Sequence, residues 1–509
     1  MSTTSNPYDD FIYPTYAFPQ THPDLLGVLA NLFGLQAAPS NRCRMLEMGC
    51  GTGGNLIPLA AALPESQFVG VDYSGKQIET ARERVKALGL KNLEFHHASV
   101  TDIDPSWGQF DFAVCHGVYS WVPEEVQDAI LRVCRENLQP HGIGYISYNT
   151  LPGWHLRGMV REMMCYHDTW HRNKSPQERV QQARALLKFL AEATAAQQTP
   201  YSVQLKRELE TLAQLPDSYI YHEHLEEYNA PVYFFEFEQR LRDRKLRFLG
   251  ESHFPSMIHQ NLPESVRQGL QAVAPDLIQM EQYLDFVNNR TFRQSLICHI
   301  EQKPDYNVTP DRLVGMLFQS PLKPQPPEQG NGFVLPNGQI LNTDQPVTRA
   351  VLLALAEIWP GAAGLDELQR RTRYTTGEVA AALLGLYAAA GQGVVRIWKH
   401  LPAYAHRPSE RPEVWSVVRR LAHEGAQVPS LRHETNNLEP IDRQLIHLLD
   451  GKRSRAQVRD LLLEAHRKGE MNVNRDGKRV EDEHQARAVL NELIDQKLKR
   501  YAEAALLVA

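Results

Sequence analysis

The sequence predicts an α/β protein with a mostly parallel β-sheet in its first half and helix-rich modules at its C-terminal end. Three observations support this fold class. Strand and helix patterns alternate through residues 1–155, a glycine-rich turn follows the first strand, and a proline- and glycine-rich stretch separates the two halves. The chain has 509 residues, too many for one ordinary hydrophobic core, so several domains are expected.

Five strands are predicted in the N-terminal region: Arg44–Met48, Phe68–Val71, Leu93–His97, Phe110–His116 and Ile143–Tyr148. The helices predicted between them are Asn55–Leu63, Lys76–Leu88 and Glu124–Leu138. Strands that alternate with helices form parallel sheets covered on both faces, so we expect a Rossmann-like arrangement.

Residues 156–302 depart from this alternation. Helical stretches rich in Arg, Glu, Gln and Ala fill 156–230, and strand-like runs follow at Leu246–His253 and Thr291–His299. We expect these runs to complete a seven-stranded sheet. Residues 156–230 would then be an inserted lid or dimerisation element, and 231–302 a middle region. The alternative is a separate helical domain that begins near Pro152.

Residues 303–345 are predicted to be a linker, because the segment 323–332 is too rich in Pro and Gly for regular structure. Two loosely similar units follow, 346–405 and 406–509. Each is predicted to hold three helices and a closing strand, Val394–Trp398 in the first and Leu498–Leu507 in the second. This order is typical of winged-helix-like modules.

The composition excludes several classes of protein. The formal net charge is −6 and no long basic run occurs, so general nucleic-acid binding is not expected. The six cysteines form no C-x-x-C pair, which argues against a disulfide framework or a zinc site. The N-terminus does not resemble a signal peptide, and no apolar stretch is long enough to cross a bilayer. We therefore expect a cytoplasmic protein without membrane insertion.

The run Met45–Asn55 places a glycine-rich turn between the first strand and the first helix. Gly49 and Gly51 allow positive φ and a close approach to a ligand, and Gly53 clears the start of the helix. The run also satisfies the G-x-G-x-x-G pattern of dinucleotide-binding folds. Asp72, at the end of the second strand, fits either cofactor, since its carboxylate can accept from both ribose hydroxyls.

Three features favour S-adenosylmethionine over a dinucleotide. Glu47 places a carboxylate beside the turn, where it would repel a pyrophosphate and attract the ammonium group of a methionine moiety. The helix–turn–strand segment Leu138–Ser147 resembles the corresponding part of class I methyltransferases. In addition, no pair of residues suited to hydride transfer is evident. We therefore predict S-adenosylmethionine as the cofactor.

The remaining cofactor-binding candidates flank the strand ends. Class I enzymes often place an Asp after the third strand to accept from the adenine N6, whereas this chain has Ser99 and Val100 there. Ser99 would accept with its hydroxyl, or Val100 would supply backbone contacts. The other candidates are Cys50, Tyr73, His116 and His22.

The acceptor side is predicted from His116–Pro123, which follows the fourth strand. It lacks the N-P-P-Y or D-P-P-Y motif that holds a planar amide or adenine NH₂, and Cys115 lacks the Pro-Cys context of cytosine-C5 enzymes. Tyr119 and Trp121 could form an aromatic pocket that receives an extended alkyl amine by cation–π contact, and Tyr16 is a further candidate for this pocket. The alternative for Tyr119 and Trp121 is simple packing at the start of the next helix.

Six motifs occur in a fixed order along the chain: Tyr13–Phe18, Thr21–Leu25, the glycine turn, His116–Pro123, Ser147–Trp154 and Phe292–His299. Together they resemble bacterial methyltransferases that carry a methyltransferase regulatory domain. That family includes the rickettsial protein-lysine methyltransferases that modify outer-membrane protein. The resemblance covers residues 8–300 strongly and the C-terminal third only in outline. It implies a class I core, an inserted helical dimerisation segment, a middle domain and a C-terminal domain.

The resemblance also assigns roles to individual positions. It implies that Tyr13, Tyr16 and His22 close over the cofactor, unless the N-terminal arm merely packs on the sheet. Asn149 and Trp154 would border the acceptor channel, unless they serve a turn and the core. A metal site at His222-Glu-His224 is not expected, because side chains two residues apart diverge on a helix.

The predicted function is methyl transfer from S-adenosylmethionine to lysine side chains of a protein. The partners implied are a protein substrate and, through the helical insertion, a second copy of the chain. One alternative is methylation of a small molecule or biosynthetic intermediate. An alternative of another class is a cofactor-sensing binding protein whose C-terminal modules carry the output.

Overall fold

The computed structural model describes residues 15–326, 328, 330–475 and 478–508. The largest sheet has seven strands in the order β3-β2-β1-β4-β5-β7-β6. These strands are β1 Arg44–Met48, β2 Gln67–Asp72, β3 Leu93–His97, β4 Phe110–Cys115, β5 Leu138–Asn149, β6 Leu246–Glu251 and β7 Phe292–His299. The prediction that the last two strands complete the sheet of the first five is confirmed.

All neighbouring pairs among β1–β5 are parallel, whereas β7 runs antiparallel to both β5 and β6. In this register Asn149, the last residue of β5, pairs with Phe292, the first residue of β7. The carboxyl ends of the parallel strands and the start of β7 therefore share one edge. Ligands of open α/β sheets bind at this edge.

The sheet is buried on both faces, as the near-continuous apolar strands require. In β1, Met45 packs into the cluster on one face, and Leu46 and Met48 pack into the cluster on the other. The helices of this region are Pro23–Leu32, Leu56–Ala62, Gly75–Leu88, Glu124–Asn137, Phe234–Asp243, Glu264–Val273 and Leu277–Asn288.

Four helices lie between β5 and the helix that precedes β6: Gly153–Asp168, Pro176–Thr194, Pro200–Ala213 and Asp217–His224. They share an apolar cluster that is separate from the two clusters of the sheet. The chain returns to the sheet where Val232 bridges Thr150, directly after β5. The helices thus leave and rejoin the sheet at neighbouring points, which is the geometry expected of an insertion.

The predicted linker is more ordered than its composition suggested. Leu317–Gln319 (β8) is the central strand of a sheet with Ala363–Gly364 (β12) and Arg396–Trp398 (β13). Its apolar residue Phe318 is fully buried in the first module, which explains the pairing. A second small sheet is formed by Lys323–Pro324 (β9), Phe333–Val334 (β10) and Ile340–Leu341 (β11).

The first C-terminal module contains the three predicted helices, Pro346–Ile358, Leu365–Thr372 and Thr376–Ala390, followed by β13. The second contains Ser416–Leu421, Pro440–Leu448, Arg455–Arg467 and Glu483–Glu503, with strands Gln427–Pro429 (β14), Thr435–Asn437 (β15), Asn474–Arg475 (β16) and Lys478–Arg479 (β17).

The closing strand predicted at Leu498–Leu507 is wrong. The last helix continues to Glu503, because Leu490, Ile494, Leu498 and Tyr501 recur at helical spacing and are all buried. Only Leu507 forms a β-bridge, with Val414. None of the helices in the described ranges combines the length and the apolar character that a bilayer crossing requires.

Candidate functional site

The glycine turn after β1 has the predicted backbone conformation. Gly49, Gly51 and Gly53 have φ values of 80°, 52° and 77°, in the left-handed region that favours glycine. The backbone N–H groups of Gly49 and Cys50 donate to the Val71 carbonyl oxygen at 2.8 and 3.1 Å. A Cβ atom on Gly49 would lie 2.3 Å from Val118 Cγ2, so the turn has no room for a side chain there.

Asp72 holds its carboxylate at the end of β2, facing the turn. Its Oδ2 accepts the Gly51 N–H at 2.8 Å and its Oδ1 accepts the Ser74 N–H at 2.8 Å. Each carboxylate oxygen can accept more than one hydrogen bond. The two backbone donors therefore orient the group and leave it able to accept from the ribose hydroxyls of a cofactor.

Glu47 is 3% exposed, at the end of β1 beneath the turn. Its Oε1 accepts from Asn55 Nδ2 at 2.7 Å, and its Oε2 is buried without a hydrogen-bond partner among the described residues. Burial raises the pKa of this carboxyl to about 8, although the bond from Asn55 opposes the shift. A buried acceptor that lacks a partner fits the cationic ammonium group of S-adenosylmethionine.

The other residues predicted at the cofactor occupy different environments. Cys50 is buried beside Gly70, and its Sγ lies 3.9 Å from the Gly51 carbonyl oxygen, so its thiol packs against the turn backbone. Tyr73 is 70% exposed at the end of β2. The Ser99 hydroxyl accepts from Thr101 N at 3.2 Å and from Thr101 Oγ1 at 2.7 Å, so it already caps a short 3₁₀ helix that begins at the buried residue Val100.

His116 lies directly after β4, among aromatic residues. Its Nδ1 is 2.9 Å from the Tyr145 hydroxyl and 3.2 Å from Ser147 Oγ. Its ring centroid is 4.2 Å from that of Phe18 and 6.3 Å from that of Phe292. Burial lowers the pKa of His116 to about 4, so the ring is neutral at physiological pH.

The candidate residues of the sequence did not include Phe18, Tyr145 and Phe292. Phe18 and Phe292 stand within the motifs that carried the resemblance, but no local pattern places them beside His116. That position results from the pairing of β5 with β7 and from the path of the N-terminal arm. The structure thus places Phe18, Tyr145 and Phe292, which come from distant segments, around His116 at one edge of the sheet.

The prediction that Tyr119 lines an open aromatic pocket is wrong. The segment Tyr119–Trp121 forms a short 3₁₀ helix that turns Tyr119 into the core, where it is fully buried between Phe237 and Tyr148. Its hydroxyl accepts from Arg240 at 3.3 Å. Trp121 is also buried and meets Trp154 edge-to-face, with ring centroids 6.0 Å apart.

The N-terminal arm crosses the glycine turn. Thr15 Oγ1 accepts the Gly54 N–H at 3.0 Å and lies 2.7 Å from Thr52 Oγ1. Tyr16 follows and is half-buried, and burial raises its pKa. Tyr13, assigned to the same arm by resemblance, lies outside the described residues.

His22 does not close over the turn, contrary to expectation. Its Nδ1 accepts the Asp24 N–H at 3.0 Å and so caps the helix that begins at Pro23. Its buried ring lies 5.6 Å from the ring of His433 and 5.7 Å from that of Trp398. Since both rings belong to the C-terminal modules, His22 packs between domains.

The residues predicted to border the acceptor channel lie just beyond β5. Asn149 is buried, and its Nδ2 donates to Asn229 Oδ1 at 3.1 Å. Trp154 lies in the next helix and is buried against Trp121. His222 and His224 are buried in the inserted helices. Within the described ranges no group of three or more His, Cys, Asp or Glu side chains is arranged to hold a metal ion.

Comparison with known proteins identifies three regions. Residues 45–142 match the family described as "Methyltransferase domain", and residues 216–299 match "Predicted methyltransferase regulatory domain". Residues 410–506 match "PKMT, C-terminal winged helix domain". The uncharacterized protein RP789 of Rickettsia prowazekii (strain Madrid E) is 35% identical over 521 residues, which cover 99% of this chain and 94% of the relative.

The chain belongs to the class I methyltransferases of the rickettsial PKMT type. The structure of PKMT2 from Rickettsia typhi in complex with AdoHcy has 29% sequence identity and a TM-score of 0.88, and the match covers 98% of this chain and all of that one. A second relative, RP028 of Rickettsia prowazekii, is 40% identical over 48% of this chain and 96% of its own length.

Membership of this family decides between the cofactors that the glycine turn left open. The PKMT-type methyltransferase uses S-adenosylmethionine. Glu47 Oε2, which has no hydrogen-bond partner in the described part of the chain, and the oriented carboxylate of Asp72 agree with this cofactor. The first suits a cation and the second suits hydroxyl donors.

Proposed function

We propose that this enzyme transfers methyl groups from S-adenosylmethionine to lysine side chains of a protein. The observation that carries the proposal is the match to the PKMT2 structure over essentially the whole of both chains. The likeness therefore extends beyond the cofactor-binding core to the regions that distinguish this type from other methyltransferases. The regulatory and winged-helix regions match by sequence as well.

When bound, S-adenosylmethionine would supply a methyl group whose carbon a neutral amine can attack in line, with the thioether as the leaving group. We propose that Glu47 holds its ammonium group, that Asp72 accepts from its ribose hydroxyls, and that Ser99 and Val100 border its adenine. The turn backbone at Gly49–Gly53 lets the cofactor approach closely. Precise placement of this kind supplies most of the catalysis in a displacement reaction.

We propose that the acceptor entrance is lined by the rings of Phe18, His116 and Phe292, and not by Tyr119. A lysine ammonium can rest against such rings by cation–π contact. It must then lose a proton, since an unperturbed lysine has a pKa of about 10.4. His116 is neutral and adds no positive charge that would repel the arriving ammonium. Asn149 and Tyr16 complete the proposed surroundings of this entrance.

We also propose that two copies of the chain associate through the inserted helices. The insertion exposes three large aromatic side chains, each more than 60% exposed in the single chain: Tyr166 and Phe189 on its helices and Trp170 in the turn between them. Exposed aromatic side chains grouped on one element support a protein–protein contact there. Such pairing would supply the homodimer expected from the resemblance.

The acceptor class is tested by incubating the enzyme with isotopically labelled S-adenosylmethionine and fractionated bacterial extract. We expect label in the protein fraction that survives treatment with base, as N-methyl groups do and methyl esters do not. Label confined to RNA or to small molecules would contradict lysine methylation while leaving the enzyme class intact. Extract incubated with Asp72→Ala enzyme is the matched control.

A further inference from the structure

The hairpin of the winged-helix domain formed by β14 and β15 reaches the glycine turn. Its connecting residues Ser430–His433 are buried, although hairpin tips normally lie in solvent. His433 is 2% exposed and has φ = +61°, a left-handed conformation that is uncommon for residues other than glycine. Such backbone conformations persist where the surroundings impose them, and they concentrate at functional sites.

His433 contacts the glycine turn at Asn55. Its Nε2 lies 2.7 Å from Asn55 Oδ1, and since an amide oxygen can only accept, the imidazole N–H is the donor. The Phe18 backbone N–H donates to the same oxygen at 3.0 Å. Two N–H donors therefore fix the carbonyl side of the Asn55 amide toward His433, and the Thr21 hydroxyl lies 3.2 Å from Oδ1 and 3.0 Å from Nδ2 of the same amide.

This orientation determines which atom of the Asn55 amide faces the Glu47 carboxylate. With Oδ1 held by His433 and Phe18, the Asn55 Nδ2 group faces Glu47 and donates to its Oε1 at 2.7 Å. A flipped amide would place its oxygen against the carboxylate and its NH₂ group against two N–H donors. His433 therefore orients the Glu47 carboxylate indirectly, through the Asn55 amide.

A second contact joins the same domain to the other side of the turn. Arg84 Nη2 lies 2.6 Å from Glu424 of the winged-helix domain. Arg84 Nη1 donates to the carbonyl oxygen of Thr52, within the turn, at 2.9 Å. The winged-helix domain thus contacts the turn at two points, through Arg84 at Thr52 and directly at Asn55.

We propose that the winged-helix domain is part of the cofactor site, with His433 as a positioning residue that fixes the Glu47 carboxylate through Asn55. This role goes beyond methyl transfer to lysine and does not depend on the acceptor. The winged-helix domain then influences the affinity for S-adenosylmethionine. Displacement of this domain weakens cofactor binding even when no residue that touches the cofactor is substituted.

The test measures S-adenosylhomocysteine affinity by calorimetry for full-length His433→Asn and His433→Gln. Asn tolerates the left-handed conformation but is too short to reach Asn55, whereas the Gln amide nitrogen lies as many bonds from Cα as the imidazole Nε2. We expect about a ten-fold loss for His433→Asn and recovery to within about three-fold for His433→Gln. His484→Asn, an exposed position of the same domain, is the matched control.

A double-mutant cycle separates positioning from general loosening of the fold. In a Glu47→Gln background the further loss caused by His433→Asn should shrink to less than about two-fold, because the carboxylate it positions is gone. Equal losses in both backgrounds, an equally weak His433→Gln, or unchanged affinity of His433→Asn would each overturn the proposal.

A further variant covers the case in which His433→Asn does not fold. Asn55→Asp replaces the Nδ2 donor by an oxygen that faces Glu47, so it should lose at least about ten-fold in affinity, and unchanged affinity would also overturn the proposal.

Discussion

Two carboxylates beside the same turn differ in their surroundings, and this difference assigns their roles. Glu47 is buried, one of its oxygens has no hydrogen-bond partner among the described residues, and burial raises its pKa to about 8. Asp72 lies at the sheet edge with both oxygens accepting backbone N–H groups. A buried carboxylate gains most from a cation, whereas an oriented, accessible one suits hydroxyl donors.

Replacing Asp72 by Ala should weaken S-adenosylhomocysteine binding by about 2–3 kcal/mol, because a charged acceptor of two hydroxyls is lost. Asp72→Asn keeps one oxygen acceptor and should lose less. Calorimetric titration of both variants measures the difference. Unchanged affinity of Asp72→Ala would contradict the assignment of the ribose contact.

Cofactor binding should release a proton from Glu47 at neutral pH. In the free protein the carboxyl has a pKa of about 8, so it is largely protonated at neutral pH. An arriving ammonium favours the ionised form and lowers that pKa, so a proton leaves. Titrations of S-adenosylhomocysteine in buffers with different ionisation enthalpies count the protons. Wild type should release more than Glu47→Gln, and equal release would refute the prediction.

Among the elements, those with strong local patterns were predictable. The alternation of strands and helices, the glycine turn, and the runs that became β6 and β7 all have periodicity or turn residues that act locally. Leu317–Gln319 was missed because its pairing partners lie far along the chain, in β12 and β13. Tyr119 was misassigned because only the tertiary position of Phe237 and Arg240 shows that it faces the core.

A buried ionic cluster joins β6, β7 and the helix Leu277–Asn288. Arg293 is fully buried and contacts Glu251 at 2.7 Å, Glu281 at 3.1 Å and Asp285 at 2.8 Å. Arg293→Met would leave three buried acidic groups without their main cation. We expect a loss of about 3–5 kcal/mol in the free energy of unfolding, measured by chemical denaturation.

The matched control for this cluster is Arg42→Met. Arg42 pairs with Glu65 at 2.9 Å and both side chains are more than 60% exposed, so its removal should cost no more than about 0.5 kcal/mol. If both variants lost equal stability, the buried cluster would not be the element that ties β7 to its neighbours.

On the scale of the whole molecule, segments that are far apart in the sequence contact the glycine turn. The N-terminal arm contacts it through Thr15, and the winged-helix domain contacts it through His433 and Glu424. The sequence could not show this convergence, because none of these contacts is local. The inserted helices lie apart, with an apolar cluster of their own and exposed aromatic side chains.

The proposed pairing of two chains predicts a concentration-dependent dimer that depends on these aromatic side chains. Combining Trp170→Glu with Phe189→Glu should yield a monomer in sedimentation velocity, because charges would replace apolar contact surface. Val314→Glu, at an exposed apolar position outside the insertion, should leave the dimer intact. A wild-type monomer at all concentrations, or a dimeric double variant, would rule out this interface.

Transfer of the methyl group to lysine is tested most directly by residue-level mass spectrometry of labelled protein. Cell lysate is incubated with the enzyme and S-adenosylmethionine that carries an isotopically labelled methyl group, and its peptides are sequenced. We expect labelled methyl groups on lysine side chains, with much less label when Asp72→Ala replaces the wild-type enzyme. Labelled peptides modified only at other residues, or no labelled peptide beside labelled small molecules, would contradict transfer to lysine.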